Sequence, residues 1–85
     1  MFKELVDIAI RNAKFTNSKF FAEWDKSLGI WVINDGDAYL KIRALPDNCV
    51  RLEFVNITHI NRSISRTVLM KNMTSELSKW FRDRV

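Results

Sequence analysis

The side chains with chemistry to offer fall in two stretches that contain no carboxylate. Residues 8–22 read IAIRNAKFTNSKFFA and set Arg11, Lys14 and Lys19 among Phe15, Phe20 and Phe21. Residues 54–75 read FVNITHINRSISRTVLMKNMTS and set Arg62, Arg66 and Lys71 among asparagine, serine and threonine. Arginine and lysine hold phosphate oxygens, amides and hydroxyls add neutral donors, and aromatic rings stack on unpaired bases. These are the components of a nucleic-acid surface, with Arg11, Lys14, Lys19, Arg62, Arg66 and Lys71 as the phosphate ligands. RNA fits the pattern better than duplex DNA, because no helix-turn-helix or zinc-finger spacing occurs and an aromatic-rich sheet suits unpaired bases. The aromatic signature of RNA-recognition motifs is absent too. The competing account makes the phenylalanines core residues and the basic groups a solvated face.

Charge distribution supports the first account. The chain carries 14 basic and 10 acidic residues, a net charge of +4. Residues 1–22 hold four basic and two acidic groups, residues 23–53 four and six, and residues 54–85 six and two. Positive charge therefore gathers toward both ends of the chain, and a long run without acids raises the local potential.

Catalytic chemistry finds little to work with. There is one histidine and one cysteine, His59 and Cys49, ten positions apart, and a metal site needs several ligands at closer spacing. As a nucleophile and base the two would have to meet, yet along one extended strand they lie roughly 33 Å apart. Asp35 and Asp37 flank Gly36 as turn formers, and Glu23 and Asp25 alternate around Trp24, so neither pair forms an acid and a base poised at different pKa values. A metal-free nuclease built on His59 lacks a partner for the imidazole. The expectation is a binding protein, not an enzyme, with no metal and no cofactor.

A single cysteine cannot form an internal disulfide, which points to a reducing compartment such as the cytoplasm. The longest apolar run is the four residues Ile30–Ile33, far short of the roughly 20 that span a membrane. Glu4 and Asp7 interrupt the N-terminal segment, which does not read as a signal peptide. The sequons at Asn56, Asn61 and Asn72 then read as chance, because glycosylation needs a secreted context. Asn, Ile, Lys and Phe total 28 residues against 8 for Ala, Gly and Pro, the mark of an AT-rich coding sequence.

The elements that must position these groups follow from periodicity. Phe2, Leu5, Val6, Ala9 and Ala13 form one helical stripe, which predicts a helix from residue 2 to about 14, with Asp7 and Arg11 paired on its exposed side and Thr16–Ser18 ending it. The period then becomes two. Phe20, Ala22 and Trp24 share a face of a first strand, and Ile30 and Val32 oppose Trp31 and Ile33 on a second, after a turn at Lys26–Gly29. Asn34–Asp37 is a hairpin signal. Ala38, Leu40, Ile42 and Ala44 alternate with Tyr39, Lys41, Arg43 and Leu45 in the clearest strand, and Pro46-Asp47-Asn48 returns the chain to Val50, Leu52 and Phe54, with Arg51 and Glu53 facing out. Residues 63–71 fit two periods: Ile64, Thr67 and Val68 favour a fifth strand, while Leu69, Met70, Met73, Leu77 and Trp80 form a helical stripe. The strand is the favoured reading. A last helix, capped by Asn72 or Thr74, has Glu76 in its first turn, Lys79, Arg82 and Arg84 near its end, and Leu77, Trp80 and Phe81 as anchors. The whole is a single α+β domain over residues 1–85: an N-terminal helix, an antiparallel meander of four or five strands, and a C-terminal helix.

Two resemblances bear on function. Residues 51–73, RLEFVNITHINRSISRTVLMKNM, resemble the strand, loop and helix that hold acetyl-coenzyme A in N-acetyltransferases, but Asn61, Ile64 and Arg66 stand where that loop needs its conserved positions. No glycine is present there, so backbone N–H groups lack the close approach to a pyrophosphate. In size, basic charge and AT-rich composition the whole chain resembles the small early proteins of T4-type phages, with the stretches Arg11–Lys19 and Arg62–Lys71 carrying the likeness. That group includes inhibitors of the endoribonuclease toxins of type III toxin–antitoxin systems. The resemblance implies an RNA-associated anti-defence inhibitor in the host cytoplasm, docked on toxin and toxin-bound RNA together, with Arg62, Arg66 and Lys71 on phosphates. The alternative is a protein-binding module without a nucleic-acid ligand, in which exposed Trp31, Tyr39 or Trp80 makes the contact and charge only steers association.

Overall fold

A computed structural model of the protein describes residues 1–13, 20–34, 38–56 and 64–84. In chain order these form α1 (Phe2–Ala13), β1 (Phe21–Asp25), β2 (Ile30–Asn34), β3 (Ala38–Leu45), β4 (Cys49–Asn56), β5 (Ile64–Leu69), a single 3-10 turn (Met70–Asn72) and α2 (Met73–Arg84). The five strands make one antiparallel meander in sequence order. The expected helix stop at Thr16–Ser18 and the turn at Asp35–Asp37 lie outside the described residues.

Register settles which side chains share a face. Trp24 pairs with Trp31, Trp31 with Ile42, Ile42 with Leu52 and Leu52 with Arg66. The neighbouring row on that face runs Ala22, Ile33, Leu40, Phe54 and Ile64. Both helices cover this face. Val6, Ala9, Ile10 and Ala13 of α1 and Met73, Leu77 and Phe81 of α2 join Trp31, Ile33, Leu40, Ile42, Val50 and Leu52 in one core, and the helices also pack on each other. Phe20 seals the contact at one end, its ring edge-on to Phe81 at 4.7 Å between centroids and 5.7 Å from Trp80.

Two sequence expectations need correction. The stripe of α1 centres on Val6, Ala9, Ile10 and Ala13, and Leu5, about 100° around the helix from Val6, is 42% exposed instead of buried. Trp31, expected at the surface, is only 8% exposed, because β2 lies between β1 and β3 and Trp31 points to the helix side. Its indole Nε1 donates to the carbonyl of Lys3 at 3.0 Å, which ties α1 to the sheet.

Residues 64–69 resolve as a strand because β4 would otherwise be an edge with Val50, Leu52 and Phe54 half covered. Six residues of β5 pair with β4, from Cys49 opposite Leu69 to Phe54 opposite Ile64. The backbone N–H of Met70 then donates to the carbonyl of Asn48 at 2.7 Å and closes the ladder. The helical stripe begins only after that, at Met73. Asp47 and Asn48, in the turn before β4, both adopt left-handed backbone (φ 61° and 57°), which their short polar side chains tolerate better than most.

At the β1–β2 turn, Asp25 Oδ1 accepts from the hydroxyl of Ser27 (2.7 Å), its backbone N–H (3.0 Å) and that of Leu28 (3.1 Å). The Ser27 hydroxyl, then the Leu28 N–H, favour the ionised carboxylate and hold the Asp25 pKa below its ordinary value.

Phe81→Ala, which empties a fully buried site, should cost about 3–5 kcal/mol and bring a domain of this size close to unfolding in urea titrations. A depressed folded pKa means that the contribution of Asp25 is present above the unfolded value and is lost as pH falls through the folded one. Stability against pH should therefore show an acid limb that Asp25→Asn flattens.

Candidate nucleic-acid interface

Two helices cover one side of the sheet, and no described element covers the other. Strand alternation sends Tyr39, Lys41, Arg43 and Leu45 of β3, and Cys49, Arg51, Glu53 and Val55 of β4, to this open side. The row Glu23, Val32, Lys41, Glu53 and Ser65 crosses the whole sheet. Beside it, Arg43 stands directly opposite Arg51, and Arg51 opposite Thr67.

Like charges directly opposite on paired strands are destabilising. Neither arginine is fully neutralised. Arg43 Nε lies 3.6 Å from Glu53 Oε1, with both side chains open to solvent, and Arg51 Nη2 donates to the hydroxyl of Ser65 at 3.3 Å. An anion bridging the two guanidiniums would remove the repulsion and fill their remaining donors. On the same face the Lys41 ammonium sits 5.6 Å from the centre of the Tyr39 ring. Phe21, 65% exposed at the β1 edge, falls in the row of Asn34, Tyr39 and Val55. The side carries carboxylates as well, Glu23 and Asp25 on β1, so its charge is graded from acidic at β1 to basic at β3 and β4.

The three sequence-predicted ligands among the described residues, Arg11, Arg66 and Lys71, do not converge. Arg11 lies on α1, across the sheet from the open face, and pairs with Asp7 at 3.0 Å. Arg66 belongs to the helix-covered side, where its Nη1 lies 3.0 Å from Glu76 Oε2 of α2. Glu76 is only 13% exposed and also meets Lys79 at 3.8 Å, so Arg66 fastens the edge strand to the helix. Lys71 is exposed in the 3-10 turn and lines a shallow depression of about 480 Å³ with Asp47, Asn48, Leu69 and Met70. Lys14, Lys19 and Arg62 lie outside the described residues, as do Phe15 and His59.

No family model, curated protein or solved structure matches this chain. Among the described residues no three His, Cys, Asp or Glu side chains group as metal ligands. Cys49 is half-buried and its thiol donates to the carbonyl of Asp47 at 3.5 Å.

Arg43, Arg51 and Lys41 are the groups that the sequence reading missed, and a signal for them existed. Residues equally distant from the centre of a hairpin turn face each other, and Arg43 and Arg51 are each four residues from Asp47. Summing charge by segment hid this, because turn aspartates offset strand arginines that they do not touch.

If the arginine pair is kept for a ligand and not for the fold, Arg51→Thr should leave the domain as stable as before or more stable by up to about 1 kcal/mol. The gain should be larger at low salt. Thermal unfolding at two salt concentrations checks this, and a clear loss of stability would assign Arg51 to the fold.

Proposed function

We propose that this is a small basic binding protein whose ligand is single-stranded RNA, held on the open face of the sheet. The observation that carries the reading is the opposed pair Arg43 and Arg51 on the side of the sheet that no described element covers. In this reading phosphates bridge the two guanidiniums and unpaired bases stack on Tyr39 and Phe21. Lys41, near the Tyr39 ring, adds charge next to the stacking platform. Lys71 and the other basic residues toward the chain ends supply long-range attraction. The ligand is bound and left unchanged.

The likeness to small early phage proteins extends this reading to a role. An RNA-bound endoribonuclease toxin of the host would present phosphates and protein surface together, and a basic sheet face suits an inhibitor that docks on both. Such a protein would work in the host cytoplasm, without a cofactor. A second reading, protein binding alone, is favoured by Leu5 and Ile8, which leave apolar surface exposed on α1.

Fluorescence anisotropy with a labelled oligouridine tests the first reading. Binding should weaken steeply as salt rises, with a slope near −0.7 per phosphate contact. Arg43→Gln with Arg51→Gln should lose most of the affinity and flatten that slope while the fold is retained. Arg66→Glu is unsuitable as a probe, because it sets a carboxylate against Glu76. Unchanged affinity in the double variant would move the site elsewhere. A nuclease-resistant protein partner, recovered by protein that binds no RNA, would favour the second reading.

A further inference from the structure

The outer edge of β5 carries information that RNA binding does not use. No described strand or helix lies beyond it, and five of its six residues are exposed, including Ile64 at 59% and Leu69 at 44%. Sheet edges are normally guarded by proline, lysine, an inward-pointing charge, a bulge or a very short strand. The sequence ISRTVL has neither proline nor lysine. Its one charge, Arg66, is drawn onto Glu76.

The other edge is built differently. β1 is FAEWD, and any substantial antiparallel pairing of two β1 strands brings the carboxylates of Glu23 and Asp25 toward those of the second copy. One edge of the sheet is guarded and the other is not. We propose that β5 is the seam of a symmetric homodimer, in which the β5 strands of two copies pair antiparallel about a two-fold axis and join the two sheets into one.

Register follows from stereochemistry. Paired residues in a continuous sheet point to the same face, so a residue of the helix-covered side must face another of that side. The two-fold axis then passes through a residue position and not between two. For a long overlap the centre is Arg66 or Thr67. Centring on Arg66 sets two guanidiniums opposite each other. Centring on Thr67 pairs that residue with its own copy, Ser65 with Leu69, and Arg66 with Val68. A threonine pair is a favourable cross-strand contact, whereas opposed like charges are not. The axis therefore passes at Thr67.

Closure follows as well. The free edges of the joined sheet are the two β1 strands, which repel one another through Glu23 and Asp25. A β5 strand paired with a β1 strand would instead make a head-to-tail contact that leaves an edge open at each step and grows. The dimer stands or falls independently of RNA binding.

Sedimentation equilibrium across the micromolar to near-millimolar range should report twice the mass of the 10.0 kDa chain. Thr67→Lys, which opposes two ammonium groups at the axis, should weaken association roughly tenfold or more with an unchanged circular-dichroism spectrum. In a Cys49→Ser background, oxidised Thr67→Cys should cross-link into dimers, because residues directly opposite meet disulfide spacing. Arg66→Cys should not. A monomer at every concentration, mass that grows without limit, or preferential cross-linking through Arg66→Cys would each overturn the proposal. Capture of a foreign strand by a monomeric protein would overturn it as well.

Discussion

Burial of Trp31, Ile33, Leu40, Ile42, Val50 and Leu52 beneath α1 and α2 determines what the rest of the molecule is free to do. Two helices of twelve residues each suffice to roof one side of a five-stranded sheet. Strand alternation then commits every second residue to the other side, which no described element covers, and there Ile30 is buried while most of the other side chains keep some exposure. Its exposed positions had to be polar in good part, and polarity alone would have been met by any mixture of serine, threonine and charge. The particular choice of Arg43 opposite Arg51 goes beyond that need, which is why it reads as a binding feature.

Basic residues in this protein divide into those that serve the fold and those that do not. Arg66 illustrates the first kind. It stands in the same register row as Ile42 and Leu52, where an apolar side chain would be expected, and reaches Glu76 at the margin of the core. The pairing is more than a surface ion pair, because Glu76 is largely withdrawn from solvent and would be left without its principal partner. Arg43 and Arg51 are the second kind: their contacts to Glu53 and Ser65 are solvent-exposed and contribute little to stability. A tally of positive charge along the chain merges the two.

Much of the fold was legible because β3 and β4 alternate cleanly and the Pro46–Asn48 turn sits between them. The segment from Ile64 to Trp80 was harder, since its apolar residues satisfy both a strand and a helix. The choice was made by something outside the segment, the need of β4 for a second partner, which local periodicity does not encode. Leu5 and Trp31 were misread for related reasons: a helical stripe wide enough to include Leu5 also admits Ile10, and a tryptophan in a strand shows its side only once the helices are placed. The candidate site lay in plain sequence, but only as a relation between two residues symmetric about Asp47. Charge counts per segment discard such relations.

The meander order of the strands has a consequence for how the chain acquires this structure. Each strand pairs with its neighbour in sequence, so the loops closed at each step are short and the loss of chain entropy is modest. The contact between α1 and α2 joins the first and last described elements and is the longest closure among them. Sheet pairing can therefore advance hairpin by hairpin, with α1 already available to cover part of the apolar face, but the rest of that face stays open until α2 docks. Until then the uncovered part of that face is exposed to whatever else is nearby, and α2 acts as the late-arriving lid that ends that interval.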